Sequence, residues 1–346
     1  MPINENAPLN VVPGAIRFNT DSMKLEYYRG GPVGFGTTTT TGEWVNLVTD
    51  TPDIQTGGAR GVWGGGYNPI VGTIDYITIS TTGNAISFGS LSVSRQLSGT
   101  VGSTTRSIWG GGNTPVLSNV IDYVTISSTG NATSFGNLTE ARVNLAAVNN
   151  STRGSFAGGA NPAESNVIDY ITIASTGNAV DFGDLQTTKY GFAAASSPVR
   201  GLFAGGYDAP TNTNVIDFIT HSTLGNAADF GDLTVARRNV KGCSNSIRGL
   251  FGMGTTGTKS NVIDYVTIAT LGNAADFGDL TQLNEGGGAG ASPTRGVWGG
   301  GQSPSGFTNV VEYVTIMSVG NAIDFGDLTS ARQSCSATSN GHGGLG

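Results

Sequence analysis

Six copies of one pattern of about 47 residues run through this chain from near residue 60 to its end. Each copy has an arginine, a short apolar stretch with a glycine cluster (60–66), an acidic-aromatic apolar run (120–126), a Gly-Asn pair (130–131) and a Phe-Gly pair (135–136). The arginines that align the copies are Arg60, Arg106, Arg153, Arg200, Arg248 and Arg295. A period in the forties with several strand and turn signals per copy predicts β-propeller blades rather than helical solenoid units.

The apolar periodicity inside a copy is that of strands. In the run 167–173, one face would carry Val167, Asp169, Ile171 and Ile173, and the other face Ile168, Tyr170 and Thr172. Both faces are largely apolar, which predicts a strand buried between neighbouring blades. The glycine-rich run 203–206 is predicted to form a strand close to the central axis, where backbones crowd and side chains would not fit. Each Gly-Asn pair is predicted to form a tight turn with positive φ at the glycine.

The ends of the repeat array predict how the ring closes. A Leu-Thr-x-Ala-Arg segment, as in 138–142, leads into each glycine strand and supplies a fourth strand. The first copy lacks this segment in 51–56, whereas an extra one stands at 328–332. We therefore predict an all-β fold, in which residues 51–346 form a six-bladed propeller closed by the C-terminal strand and residues 1–50 form a separate small β module.

The order of Ala-Arg, short strand, Gly-Gly and acidic-aromatic strand resembles kelch-type propellers across residues 51–346. The resemblance implies a kelch-like propeller. One feature departs from the kelch pattern, because the tryptophan expected late in a kelch repeat is a phenylalanine in every copy: Phe88, Phe135, Phe182, Phe230, Phe277 and Phe325.

The first 50 residues have another pattern. Alternating Ile16/Phe18 and Leu25/Tyr27 predict a β-hairpin, and a Gly/Thr-rich loop separates it from a third strand at 44–48. The segment resembles a short module of tail-fibre and other virion proteins of tailed phages, particularly marine ones. That resemblance implies attachment to a phage particle.

So small a β module buries little apolar surface, which makes support from elsewhere favourable. We expect Phe18, Tyr27, Tyr28 and Trp44 to anchor it against another virion protein, a partner subunit or the propeller itself. A cap packed on the first blade is the alternative.

Composition limits the partners. Only 12% of residues are charged, the net charge is −7 and Lys/Arg clusters are lacking, which argues against nucleic-acid binding. The N-terminus does not resemble a signal peptide and no apolar stretch is long enough to span a bilayer, so we expect synthesis in a host cytoplasm, no membrane insertion and a place in the virion. Cys243 and Cys335 are predicted to be free, small and buried.

No motif predicts catalysis, a cofactor or a metal. The Asp-Phe-Gly-Asp runs, as in 181–184, recur with the blade period, so Phe is predicted to be a core aromatic and its flanking aspartates to cap turns. The glycine clusters lack the Lys-Ser/Thr of a phosphate loop. His221 and His342 have no metal-ligand spacing, and His221 is predicted to be a surface substitution.

Two charged positions occur once per copy. One is the aligned arginine, and the other is an acid: Asp75, Asp122, Asp169, Asp217, Asp264 and Glu312. They are predicted to link strands and blades by hydrogen bonds, with Arg-to-Asp pairing as one form. The alternative is a charged channel mouth that binds an ion.

The copies differ most in the loop after each glycine strand: 67–72, 113–118, 160–165, 207–213, 255–260 and 302–308. Loops on one rim can diverge and carry recognition while packing keeps the strands alike. The candidate binding residues, suited to sugars or polar protein surfaces, are Tyr67, Asn68, Asn113, Asn161, Tyr207, Asp208, Asn212 and Gln302.

Three functions follow from this sequence. The first is a non-enzymatic phage virion protein of tail-fibre type, oligomeric in the particle, whose propeller contacts a host glycan or protein. The second is a capsid or neck decoration protein without receptor binding. The third is a cellular lectin-like or scaffold propeller.

Overall fold

The computed structural model describes residues 15–19, 24–30, 42–46 and 59–345. The chain divides into two compact units, residues 1–51 and residues 52–346.

The first unit contains a three-stranded antiparallel sheet in the order β1 (Ile16–Asn19), β2 (Lys24–Gly30) and β3 (Gly42–Asn46). Ile16 pairs with Tyr27, and Tyr28 pairs with Trp44. These are the predicted hairpin and third strand, with the third strand beginning two residues earlier than predicted. Of the predicted anchors, Tyr28 is buried and Tyr27 half-buried, while the side chains of Phe18 and Trp44 lie outside the described part of the chain.

The second unit is a six-bladed β-propeller, and each blade is a four-stranded antiparallel sheet. Blade 1 begins with β4 (Arg60–Gly64), β5 (Thr73–Thr78) and β6 (Ile86–Ser90). Blade 2 contains β7 (Gly99–Gly102), β8 (Arg106–Gly110), β9 (Val120–Thr125) and β10 (Thr133–Asn137). Blade 3 contains β11 (Ala146–Asn149), β12 (Arg153–Ala157), the short hairpin β13 (Ala160–Asn161) and β14 (Ala163–Glu164), β15 (Val167–Thr172) and β16 (Val180–Asp184).

The remaining blades repeat this order. Blade 4 contains β17 (Ala193–Ser196), β18 (Arg200–Ala204), the hairpin β19 (Tyr207–Asp208) and β20 (Thr211–Asn212), β21 (Val215–Thr220) and β22 (Ala228–Asp232). Blade 5 contains β23 (Lys241–Ser244), β24 (Arg248–Gly252), β25 (Ser260–Thr267) and β26 (Ala275–Asn284). Blade 6 contains β27 (Gly288–Ala291), β28 (Arg295–Gly299), the hairpin β29 (Gln302–Ser303) and β30 (Gly306–Phe307), β31 (Val310–Thr315) and β32 (Ile323–Asp327).

The chain end closes the ring as predicted. The last strand, β33 (Ser336–Ser339), pairs antiparallel with β4, with Ser336 opposite Gly64 and Ser339 opposite Gly61. Blade 1 therefore takes one strand from the C-terminal end of the propeller and three from its start, and a 3₁₀ helix, Gly343–Leu345, follows.

The glycine strands lie close to the axis, but they are not the innermost strands. The four-residue strands β7, β11, β17, β23, β27 and β33 contact one another around the axis, and the glycine strands lie second. The glycine at the end of a second strand makes room for an aromatic ring of the next blade. A Cβ atom on Gly64 would lie 2.6 Å from Nε1 of Trp109.

One fully buried aromatic ring per blade occupies this interface. The six rings are Trp63, Trp109, Phe156, Phe203, Phe251 and Trp298. Each of the three tryptophans faces a glycine of the preceding blade, namely Gly299, Gly64 and Gly252, and Phe156 faces Gly110, whereas the other two phenylalanines face an alanine. Where alanine stands opposite a ring, the ring is thus the smaller phenylalanine, as close packing requires.

The Gly-Asn turns also join blades. Gly130 has a φ of 156°, as predicted, and its N–H donates to Phe88 O of the preceding blade at 2.8 Å. Asn131 Oδ1 accepts from Ser90 N at 3.1 Å. The same clamp recurs around the ring and crosses the closure, where Gly83 N donates to Phe325 O.

The late phenylalanine is the predicted core aromatic. Phe182 is buried and packs edge-on against Tyr170 with ring centroids 6.0 Å apart, and every blade has the equivalent contact. The flanking Asp181 and Asp184 lie within β16 rather than at a turn, so the predicted capping role was wrong. The Asn226 side chain of the next blade accepts the N–H of Asp184.

The size match predicts a compensating pair of substitutions. Gly64→Ala should lower the free energy of unfolding by about 1–3 kcal/mol, because the added methyl group overpacks the contact with Trp109. Trp109→Phe in the same chain should restore part of that loss, since Ala157 facing Phe203 is a native form of the pair. Urea unfolding of the single and double variants measures both effects, and additive losses would contradict the size match.

Candidate functional site

The six divergent loops lie at one end of the propeller, because each joins the second strand of its blade to the third. We call this end the loop face. Each loop begins beside the segment that leads into an innermost strand, through a bridge such as Tyr207 to Tyr190 or Gln302 to Glu285. The loop face therefore contains two layers of variable residues.

The largest aromatic group on the loop face surrounds Tyr207. The ring centroids of Tyr190 and Tyr207 are 5.3 Å apart, and the guanidinium carbon of Arg238 lies 5.3 Å from the Tyr207 centroid. The Tyr207 hydroxyl donates to Pro210 O at 3.2 Å. These half-buried side chains form a firm surface with stacking and hydrogen-bonding capacity.

A second aromatic contact crosses the boundary between blades 6 and 1. Tyr67 is 41% exposed and packs edge-on against Phe307 at 6.0 Å. Asn68 and Asn161 are exposed beside their loops, whereas Asp208 and Gln302 are half-buried.

Two of the predicted binding residues hold the face together. Asn212 donates through Nδ2 to Thr255 O of the next loop at 3.2 Å. Asn113 bridges Gln96 and Leu117 through its backbone, and its Oδ1 atom is buried. Both asparagines are half-buried and offer less to a ligand than Tyr67 or Tyr207.

Sequence reasoning missed Tyr190, Arg238 and Phe307. Tyr190 and Arg238 come directly after the position of the connecting segment that is Arg or Lys in most copies. At their own position the six copies have different residues: Gln96, Val143, Tyr190, Arg238, Glu285 and Gln333. That variability is the signal that could have identified this second layer.

The opposite end of the propeller differs between its two halves. Blades 4–6 expose six apolar side chains there: Val199, Leu224, Ile247, Leu271, Met317 and Val319. Blades 1–3 have threonines at the three turn positions, Thr82, Thr129 and Thr176. At this end, Arg200 of blade 4 donates a hydrogen bond to Ala269 O of blade 5. We call this set the apolar face.

The acidic ring is buried, and its five aspartates pair with cations other than the aligned arginines. Asp122 pairs with Arg95, and Asp169 pairs with Arg142, the arginine of the Ala-Arg segment. Five such pairs with N–O distances between 2.6 and 3.2 Å occur: Arg95–Asp122, Arg142–Asp169, Lys189–Asp217, Arg237–Asp264 and Arg332–Asp75. Because these groups are 0–1% exposed, they do not form a channel mouth.

The aligned arginines link blades in another way. The Arg60 guanidinium carbon lies 4.5 Å from the Tyr76 ring centroid of its own blade, and Nη1 donates to Ile126 O of the next blade at 2.8 Å. All six arginines repeat this arrangement, with Arg295 reaching Ile79 O across the closure. The predicted links between blades are present, but the Arg-to-Asp form was wrong for this set.

Blade 6 lacks the buried cation. Asn284 stands where the others have Arg or Lys, and it donates to Gly300 O at 2.8 Å as Arg142 donates to Gly158 O. Glu312 accepts Thr281 N at 2.6 Å, while its Oε1 atom and Oδ1 of Asn284 are buried without a hydrogen-bond partner among the described residues. Burial raises the pKa of Glu312, which favours the neutral acid in this blade.

His221 is buried, at 1% exposure, so its prediction as a surface residue was wrong. It occupies the core position held by Ile79, Ile126, Ile173, Ile268 and Ile316 in the other blades. Its pKa is lowered to about 4, because burial disfavours the imidazolium more than the nearby Arg200 and Ser197 carbonyls favour it. Neither ring nitrogen has a partner of good hydrogen-bond geometry in the described chain. Cys243 and Cys335 are free and buried, as predicted.

Within residues 59–345 and the described strands before them, no group of three or more His, Cys, Asp and Glu side chains is placed to hold a metal ion. No helix among the described residues is long and apolar enough to cross a membrane. No protein-family model and no curated protein matches this chain.

The acids of blades 3 and 6 differ in their partners, so their substitution should lower the stability of the protein by different amounts. Asp169→Asn should lower the free energy of unfolding by about 3–5 kcal/mol, because Arg142 would keep a buried charge without its partner. Glu312→Gln should change it by less than about 1 kcal/mol, because Gln keeps the shape of the side chain and no buried cation loses its partner. Denaturant unfolding at pH 7 compares the two variants, and equal losses of stability would contradict the prediction.

The buried histidine predicts acid sensitivity. Between pH 6.5 and 4 the unfolded chain protonates His221 while the native protein keeps it neutral, so stability should fall as the pH is lowered through this range. His221→Ile, which restores the repeat residue, should reduce that loss by roughly 1–3 kcal/mol at pH 4. Melting temperatures of both proteins from pH 7 to 4 measure the difference, and parallel curves would contradict it.

Proposed function

We propose that this protein is a non-enzymatic structural protein of a tailed-phage particle, of tail-fibre or appendage type. The N-terminal module attaches it to other virion proteins, and the loop face of its kelch-like propeller contacts the host surface. The partner chemistry we infer is a glycan or another polar, weakly charged surface.

The observation that carries this proposal is the contrast between scaffold and loops. Six nearly identical blades hold six different loops on one face. Loops free of packing constraints diverge by drift as well as by selection, but here they bring together aromatic side chains. Tyr207 lies against Tyr190 and Arg238, and Tyr67 lies against Phe307.

The chemistry of these groups suits sugar recognition. Aromatic rings stack on the apolar faces of sugar rings, and neighbouring amides such as Asn68 and Asn161 can bond hydroxyl groups. The low charge of the chain fits a contact whose strength depends little on salt.

The phage assignment rests on the resemblance of the first 50 residues to virion modules. The three strands β1–β3 of this segment form one antiparallel sheet. The order of motifs in each blade supports the kelch-like description, with phenylalanine in place of the late tryptophan.

The apolar face favours a second function, that of a decoration protein without a receptor. Six exposed apolar side chains on three adjacent blades are unusual for a free surface and suit contact with another protein of the particle. Both functions are compatible if this face meets the particle and the loop face meets the host.

The test is saturable binding of the full-length protein to host cells, with competition against infection. Replacing loop 207–213 by its counterpart 255–260 should weaken binding at least about tenfold, because it removes the Tyr207 aromatic group. Leu271→Thr, which copies the residue of blades 1–3 on the other face, is the matched control and should bind normally. If the full-length protein is found in particles but does not bind cells, the decoration function replaces the first.

A further inference from the structure

The innermost strands enclose a cavity of about 90 Å³ on the propeller axis. Its wall is built almost entirely from glycine, alanine, serine and threonine of the six innermost strands, and none of its lining residues is acidic. This volume is enough for one small ion or acid group.

Lys241 breaks the pattern of this wall. It is the first residue of β23, and the same position in the other blades holds Gly99, Ala146, Ala193, Gly288 and Ser336. Those residues are buried, whereas Lys241 keeps part of its surface accessible. Lys241 belongs to an innermost strand and lines the cavity.

No acidic side chain of the described residues pairs with the ammonium group of Lys241. The buried cations Arg95, Arg142, Lys189, Arg237 and Arg332 each pair with an aspartate, and Lys259 lies 3.6 Å from Glu285. Lys241 forms no ion pair within the described chain. Burial lowers the pKa of Lys241, although the nearby Cys335 favours the charged form.

Backbone N–H groups add donors around the cavity. Gly102 N of β7 donates to Asn149 Oδ1 of the next blade, so this N–H points away from β8. Because the ladder alternates, the N–H of Thr100, two residues earlier, points to the same side, toward the axis. The other innermost strands repeat this geometry, so N–H groups converge on the cavity together with carbonyl groups. Because donors and acceptors are both present, the positive charge of Lys241 decides that the cavity favours an anion.

The chain end closes the cavity on the side away from the loop face. His342 lines the cavity, and its Nε2 lies 3.0 Å from Gly102 O and 3.2 Å from Asn149 Nδ2. The helix Gly343–Leu345 lies against β17 and β23. A small solute would therefore enter from the loop face.

We propose that the axial cavity binds one small anion, a carboxylate or a phosphate-like oxyanion, with the ammonium group of Lys241 as its counter-charge. This site is independent of host attachment, because it needs neither the divergent loops nor the N-terminal module.

Calorimetric titration of the full-length protein with acetate, and separately with inorganic phosphate, in a buffer of constant ionic strength tests the proposal. At least one of the two should bind at a single site, and the pair of titrations separates carboxylate from oxyanion. Lys241→Ala, which installs the residue of blades 3 and 4, should weaken that binding roughly tenfold or more. Lys259→Ala on the loop face is the control and should bind as the original chain does.

A lack of binding by both anions, or equal binding by the Lys241→Ala variant, would overturn the proposal. Bromide diffusion into crystals of the unaltered protein gives a second result that does not depend on a variant folding. An anomalous peak beside Lys241 Nζ is expected, and a cavity without one argues against the site even if titration shows binding elsewhere.

Discussion

Each blade of this propeller depends on the next one to cover its face, and this mutual dependence governs the rest of the structure. Three kinds of contact cross every boundary: an aromatic ring over a small residue, a Gly-Asn clamp and an arginine that reaches the neighbouring carbonyl. At the axis, the N–H of one left-handed residue per blade donates to the carbonyl of the preceding blade. The six residues, which complete a circle, are Leu97, Asn144, Gly191, Asn239, Gly286 and Ser334. Such a set of contacts has no natural end, so it is fully satisfied only when β33 joins β4.

The repeat explains how much of this could be predicted from sequence. Blade number, strand content and closure follow from counting the segments, because a missing strand at one end and a surplus strand at the other must meet. The radial order of strands does not follow, because glycine is needed both near an axis and under a large ring. Gly64 is a glycine because it lies under the large ring of Trp109, and this can be seen only once Trp109 of the next blade has been placed. The partner of each aspartate was hidden likewise, since Arg60 and Arg95 both recur with the blade period.

The surfaces were predictable only in part. Variation among the loops correctly identifies one face, because all six connect equivalent strands. It does not identify the residues that the fold brings beside those loops from another segment, such as Tyr190 and Arg238. Loop variation also does not distinguish a residue exposed to solvent from one that bonds to the neighbouring loop, as Asn212 does by donating to Thr255 O. The asymmetry of the apolar face was visible as threonine against leucine or valine, but its location required the turns to be placed in space.

In a sixfold repeat, a residue that differs from its counterparts in the other copies is not required for the blade fold, because the other blades form without it. Asn284 and Glu312 stand where the other blades have a cation and an aspartate, so the blade without the buried cation also has an acid whose pKa is raised by burial. His221 replaces isoleucine and leaves two ring nitrogens without good partners, a cost that nothing nearby offsets in the described chain. Lys241 differs from both, because no acidic group of the described chain pairs with it and it lines an open cavity. A charged group in that situation is stabilised by whatever anion can reach it, which makes the axis, rather than the repeated motifs, the place where this propeller has acquired chemistry of its own.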